Sequence, residues 1–410
     1  MKTTEAALPA FVDLVGEKWV RDATAADAVA GVQPALVVAP EDEDGVAAVL
    51  RLATRDGLAV VVRGGGTKLD WGRPPRRCDV VLSTERLTAL VEHEPADLIC
   101  VVQAGMQLAT LQRRLLATAG HRQQLMLDPP PPGPQTVGGV LACNAAGGRR
   151  TRYGTPRDLV IGARFVLADG TIAHSGGKVV KNVAGYDIAR LLCGSLGTLA
   201  VITQAAFRLH PVPQAERTVV AENVSATRLA ELGDALRTAP VVIGAADVLW
   251  PDGLLAVRVE GTEESADAQA ATLAAQLGGR VLDESDARLL QKSMRHAPWQ
   301  GDGTIVGVGV PRSRIRQLLD ICSDFAASAV IRPCVGTAQA LVPTDSDVVI
   351  RFRAAVTGVG GHLTVHRGGG AIGDAAFGDA DETAVELMRA VTSRFDPTAT
   401  LSPGRHLGSV

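Results

Sequence analysis

Leu58-Ala59-Val60-Val61-Val62-Arg63-Gly64-Gly65-Gly66-Thr67-Lys68 is an apolar run that breaks off into three glycines and two hydrogen-bond donors. A short β-branched run of this kind reads as a buried strand. Three consecutive glycines let the backbone curl so that successive N–H groups point at one spot. Such a nest binds anionic oxygen, typically phosphate, although three glycines alone also fit a tight turn. Two common phosphate motifs do not fit. A dinucleotide fingerprint needs a helix directly after its glycines, and here Leu69-Asp70-Trp71-Gly72-Arg73-Pro74-Pro75 follows. A Walker loop needs Gly-Lys-Ser/Thr, whereas Gly177-Lys178 is followed by Val179.

Working outward, a second glycine segment runs Asp128-Pro129-Pro130-Pro131-Pro132-Gly133-Pro134-Gln135-Thr136-Val137-Gly138-Gly139-Val140. The proline run sets a rigid, extended entry, and taken alone it also fits a polyproline ligand for a partner. It continues into Leu141-Ala142-Cys143-Asn144-Ala145-Ala146-Gly147-Gly148, where small residues let a flat, bulky group approach the backbone. Arg150, Arg152, Tyr153, Gly154 and Arg157-Asp158 then supply donors. A third segment is Gly185-Tyr186-Asp187 followed by Gly194-Ser195-Leu196-Gly197-Thr198-Leu199-Ala200-Val201-Ile202-Thr203. Lys178 and Lys181, two of only six lysines, lie just upstream.

In this order the three segments resemble the FAD-binding domain of the vanillyl-alcohol-oxidase, or PCMH-type, flavoproteins. Within that superfamily the sequence is most similar to the FAD-binding E subunits of bacterial glycolate oxidases. The resemblance covers about 36–210, and Ser402-Pro403-Gly404-Arg405 is similar to the family's closing Asn-Pro-Gly-Lys/Arg, with Ser for Asn. It implies FAD as cofactor. Arg63, Gly64, Gly65, Gly66, Thr67 and Lys68 would wrap the pyrophosphate. Pro132, Gln135, Thr136, Val137, Gly138 and Gly139 would lie beside pyrophosphate and flavin, with Cys143, Asn144, Gly147 and Gly148 continuing that wall. Tyr153, Gly154, Gly197 and Ile202 would contact flavin or adenosine. Relatives that link FAD covalently often carry a His after the first glycine loop. Thr67-Lys68 stands there, so a non-covalent FAD is expected. Many single-chain relatives read Gly-Ser-Glu-Gly where this chain has Leu196 in place of Glu, which removes one acid near the cofactor.

The expected fold is α+β: a two-lobed PCMH-type FAD-binding domain, an α+β cap with an antiparallel sheet, and a C-terminal tail returning to the FAD domain. The expected boundaries are a helical lead-in at 1–35, the FAD domain at 36–212, the cap at 213–378, and a final helix and tail at 379–410. The break rests on Pro211-Val212-Pro213, beyond which strand-like and helical runs alternate.

Hydroxy-acid oxidation by flavin needs a base for the hydroxyl proton and cations for the carboxylate. Single-chain relatives supply these from a His-rich cap segment, which is absent here. The nearest feature is Gly361-His362-Leu363-Thr364-Val365-His366-Arg367. On a strand, His362 and His366 face one side and are candidates for a base, although a purely structural role fits equally. Two histidines without a third ligand predict no metal site. The 35 arginines make no single one informative.

Composition bounds the partners. Lys plus Arg is 41 and Asp plus Glu is 44, a net charge of −3 that excludes a simple basic nucleic-acid binder. Cys78, Cys100, Cys143, Cys193, Cys322 and Cys334 form no CxxC pair, so their spacing fits neither a zinc site nor an iron–sulfur cluster held by this chain. They suit a reducing, cytoplasmic setting, and neither a signal peptide nor a membrane-spanning run is expected. The resemblance therefore implies a flavin-carrying subunit that works with a related FAD-containing oxidase subunit and an iron–sulfur subunit on a small 2-hydroxy acid such as glycolate. Any membrane association would be peripheral, through partners at the inner face of the cell membrane. A self-sufficient FAD-dependent D-2-hydroxy-acid dehydrogenase of the D-lactate type, and a structural assembly subunit with an empty cleft, remain as alternatives.

Overall fold

The computed structural model describes residues 2–177, 185–372 and 381–406. Lys178 and Lys181 lie outside the described residues. The quoted apolar run forms the strand Val60–Arg63, at one edge of a four-stranded sheet. From that edge inward the order is Val60–Arg63, Val80–Ser83, Leu36–Val38 and Val20–Asp22. The first three are parallel and the last antiparallel. The segment ahead of residue 36 thus supplies a strand as well as the helix Lys2–Val15. The helix Glu43–Arg55 starts at Asp42, whose Oδ1 accepts from Gly45 N at 2.8 Å. It lays Val46, Val49, Leu50 and Ala53 on the sheet, as a parallel sheet requires.

A second sheet is antiparallel throughout, in the order Leu90–Glu94, Ile99–Gln103, Val201–Arg208, Val160–Val166, Ile172–Gly176. Val166, Ala168 and Val201 pack into the same core as Val38, Val46 and Val60, so the two sheets form two lobes sharing apolar contact. The C-terminal tail returns to the first lobe. Val60 N donates to Thr400 O at 2.7 Å and Ser402 N to Val60 O at 2.8 Å, which covers the sheet edge. Asp396 shapes that return by accepting from Thr400 N at 3.0 Å and Leu401 N at 2.6 Å.

The cap is one antiparallel sheet of eight strands. Its central members are Leu254–Gly261, Ile243–Trp250, Ser328–Arg332, Thr337–Val342 and Thr304–Gly309, with His362–Arg367 at the edge. Helices Ala226–Thr238, Glu263–Leu277, Ile315–Asp324 and Ser346–Gly358 cover one face, around Leu229, Leu273, Leu318 and Phe352. On the other face the helix Glu284–His296 contributes Met294 to a small cluster with Val220, Ala256 and Leu282. The rest of that face looks at the FAD lobes. The architecture is α+β with two lobes, an antiparallel cap and a returning tail, as expected from the sequence.

Candidate flavin site

The first two glycine segments pack directly on each other. A Cβ on Gly64 would sit 2.0 Å from Thr136 Oγ1, and one on Gly65 would sit 1.6 Å from the Pro134 carbonyl oxygen. Glycine is demanded there by loop-on-loop contact. At Gly66 it is demanded by the backbone, which has φ +72°. Among the described residues, the amides of Gly64, Gly65, Gly66 and Thr67 donate to no protein acceptor. Gly138 lies against Ala104, where a Cβ would be 2.8 Å from the Ala104 Cβ, and its N–H bonds the Ala104 carbonyl at 2.8 Å.

These loops wall a cleft between the lobes. Thr67, Lys68, Thr136, Gly138, Gly139 and Cys143 line one side, and Leu196, Gly197 and Ile202 line the other. Two buried cations stand in it. Lys68 is 7% exposed and burial lowers its pKa to about 8. The ionisable group beside it is the Cys143 thiol, which desolvation pushes up and so disfavours as a thiolate counter-charge. Arg405, brought in by the tail, is 4% exposed and donates from Nη2 to the Trp71 carbonyl at 2.6 Å. Its Nε has no partner, and burial lowers its pKa. Thr136 Oγ1 and Gln135 Oε1 are likewise buried without partners. Free amides, buried cations and the orphaned Thr136 hydroxyl in one cleft call for a polar, doubly negative group. The pyrophosphate of a dinucleotide such as FAD fits that set.

The cleft ends at the cap. Gly72 N donates to Val365 O at 2.9 Å, tying the turn after the first glycine loop to the edge strand His362–Arg367. His366 sits at a bulge there and stacks on Trp71 with ring centroids 3.7 Å apart and planes 3° apart. Trp299 lies parallel to both, 6.5 Å from each. His362 and His366 do share a face, above Gly309 and Gly307, where a Cβ would come within 2.2 and 2.3 Å of the rings. Their surroundings differ sharply. His362 is exposed, while His366 is enclosed and pushed down to about 3, by burial first and then by Lys68 and Arg332. A ring that protonates near pH 3 is a poor base at neutral pH, so His366 acts as a wall. Among the described residues no group of three His, Cys, Asp or Glu is placed to hold a metal ion.

The remaining candidates lie away from the cleft lining. Arg63 pairs with Asp27 at 2.5 Å, and Asp27 also takes Arg21 at 2.7 Å, which holds its carboxyl far below the usual range. Pro132 is half-buried, and Val137 is a core residue whose N–H bonds Met106 O at 2.9 Å. Gln135 braces the proline run, donating to Pro129 O at 2.9 Å. Asn144, at φ +45°, accepts Arg157 N at 3.2 Å. Gly147 and Gly148 face Asp128 and Asp247, where Cβ atoms would come within 2.2 and 2.3 Å of their oxygens. Tyr153 Oη donates to Glu260 of the cap at 2.5 Å, beside Arg152 at 2.8 Å. Gly154, at φ +80°, turns the chain where a Cβ would meet Asp158. Arg405 and Leu196 are lining residues absent from the candidate set. Arg405 lay within the quoted closing motif, and its role depends on a tail that returns some 340 residues later in the chain to reach the first glycine loop.

The family described as FAD binding domain matches residues 34–176. The D-lactate dehydrogenase of Archaeoglobus fulgidus is 43% identical over 43% of this chain and 39% of its own length. The chain thus spans about two fifths of that relative. The glycolate oxidase subunit GlcE of Escherichia coli (strain K12) is 28% identical over 86% of this chain and 94% of its own. In three dimensions, p-cresol methylhydroxylase with substrate bound superposes with a TM-score of 0.77, covering 100% of this chain and 97% of that one at 17% identity. The chain therefore carries an FAD-binding domain within a fold of the p-cresol methylhydroxylase type.

Proposed function

We propose that the chain is the FAD-holding subunit of an assembly that oxidises a 2-hydroxy acid, glycolate to glyoxylate, and passes the electrons to an iron–sulfur partner. One observation carries the reading: the cleft is complete as a cradle for a dinucleotide, yet the histidine at its end is stacked, half-buried and held neutral by desolvation. The near full-length similarity to the GlcE subunit supports a share in a larger enzyme. A related FAD-containing subunit would then hold the hydroxy-acid site.

Bound FAD supplies a two-electron acceptor. The chain's own residues do the rest. The amides of residues 64–67, with Lys68 and Arg405, neutralise the diphosphate. The small wall at Gly139, Ala142 and Cys143 admits a flat ring, and Trp71 with His366 excludes water from its end. FAD would be held without a covalent bond, because Thr67-Lys68 stand after the first glycine loop in place of a His, and desolvation pushes the half-buried Cys143 thiol up and so disfavours its nucleophilic thiolate. No helix among the described residues is long and apolar enough to cross a membrane, so contact with the inner face of the membrane would come through partners.

The 43% identity to a D-lactate dehydrogenase favours a second reading, a self-sufficient D-2-hydroxy-acid dehydrogenase. The buried cations and free amides oppose a structural subunit with an empty cleft. The test is turnover of glycolate and D-lactate with a dye acceptor, by the purified chain alone and after mixing with a related FAD-containing subunit and an iron–sulfur subunit. Turnover only in the mixture supports the proposal. Robust turnover by the chain alone overturns it in favour of the second reading, and a colourless protein that resists FAD supports the third.

A further inference from the structure

A second cavity lies on the face of the cap sheet that looks at the FAD lobes. Its floor is Asp128, Gly148 and Arg149, from the end of the second glycine segment. Its roof is the helix Glu284–His296, through Gln291 and Met294. Its back wall is the sheet. Strand register places Arg258 opposite both Thr218 and Ala245, and Asp247 opposite Ala256. Val248 pairs with Ile331, so the next pair across that ladder is Asp247 with Arg332. Alternation then puts all of these on one face, with Ala245 and Ala256 leaving the room.

The charged groups there are buried and incompletely partnered. Arg258 is 8% and Arg332 6% exposed, and each has an Nε without a hydrogen-bond partner. Arg332 Nε is 3.2 Å from Asp247 Oδ1, an ion pair whose alignment makes no hydrogen bond, and that oxygen is also orphaned. Arg332 Nη2 donates to Gln339 at 3.3 Å. Arg258 Nη1 reaches Glu216 only at 3.9 Å, since Glu216 is engaged at 3.0 Å by Arg149. Burial raises the Asp247 carboxyl above its ordinary range despite Arg332. Buried guanidinium groups with idle donors are costly unless an anion completes them, and their planar forks match a carboxylate.

We propose that this cavity binds a small hydroxy-carboxylate, with Arg258 and Arg332 holding its carboxylate and Asp247 its hydroxyl. The site is separate from the flavin cleft. The choice of a hydroxy acid rests on the function proposed above, as a binding place apart from the oxidation site on the related subunit, whereas a carboxylate site does not.

The test is titration calorimetry of the full chain, in its flavin-loaded form, with glycolate, D-lactate and D-malate, and with acetate as the carboxylate lacking a hydroxyl. Saturable one-to-one binding is expected for at least one hydroxy acid, weaker by tenfold or more in Arg332→Gln and Arg258→Gln at unchanged flavin content. Asp247→Asn should narrow the preference over acetate. Lys68→Gln separates the two claims, since it should lose flavin and keep this binding. Binding of acetate as tight as that of the hydroxy acids would overturn the hydroxyl contact to Asp247. Absence of saturable binding by the unsubstituted chain, or undiminished binding in both arginine variants, would overturn the site while leaving the flavin reading intact. If either arginine variant fails to fold, the unsubstituted chain's own titration still decides.

Discussion

The flavin cleft and the cap cavity are both polar hollows in one chain, built in opposite ways. The cleft is made of backbone: amides of residues 64–67 and glycines set by loop-on-loop contact, with two cations added. The cap cavity is made of side chains, Asp247, Arg258 and Arg332, carried on three strands that meet only through sheet register. Backbone cradles need particular residues in consecutive positions, so they leave a local pattern. Side-chain cavities need only one polar residue per strand, and any of 35 arginines would look alike.

The largest effect should come from breaking the loop contact. Gly65→Ala already drives a Cβ to within 1.6 Å of the Pro134 carbonyl, and Gly65→Glu adds bulk and negative charge, so both should abolish FAD retention. Gly66→Ala meets nothing nearer than 4.0 Å and has only its positive φ to overcome, a cost of about 1–2 kcal/mol, and it should keep flavin. Flavin absorbance per chain is the readout, and equal loss in both alanine variants would refute the loop-contact argument.

Next come the cations. Lys68→Gln and Arg405→Gln should each weaken FAD binding about 10- to 100-fold, from charged hydrogen bonds of about 1.5–3 kcal/mol. Because burial lowers Lys68 to about 8, it loses its proton above that pH, and FAD affinity should fall as pH rises beyond 8. In flavin-free protein the sign reverses for stability. The unfolded chain keeps the proton up to the ordinary 10.5, so stability should rise with pH between about 8 and 10.5. A flat affinity profile across pH 8 would contradict Lys68 as a ligand of the diphosphate.

The contact between the two regions is polar, with Arg152 and Tyr153 bonded to Glu260. Tyr153→Phe removes the 2.5 Å bond to the buried Glu260 and should cost about 1–3 kcal/mol in thermal melting at unchanged flavin content. Smallest at neutral pH are the histidines. His366, held neutral down to about 3, should lower stability as pH falls from 6.5 toward 3, because the unfolded chain takes the proton first. His366→Phe should erase that acid dependence and leave turnover of the assembled enzyme within a few-fold. His362→Ala, at an exposed position, should stay within about 0.5 kcal/mol. A large loss of turnover in His366→Phe would restore it as a base.

The same contrast explains what the sequence made legible. The strand ending at Arg63 and the second glycine segment are readable because apolar runs and glycines are local signals. The strand Leu90–Glu94 carries no such signal, because its residues, LVEHE, are half polar and none is fully buried. Gly64 and Gly65 were assigned to the cofactor from their type, but the residues they accommodate are Thr136 and Pro134. Tyr153 and Gly148 were assigned to the cofactor wall from their place in a motif, and tertiary contacts with Glu260 and Asp247 direct them to the cap.

The central claim is a dinucleotide held by amides and cations without a covalent bond. Acid precipitation of the purified protein, with flavin measured in supernatant and pellet, tests it most directly. About one FAD per chain in the supernatant is the expected result. A pellet that stays yellow, or a protein that carries no flavin and takes up none, would contradict it.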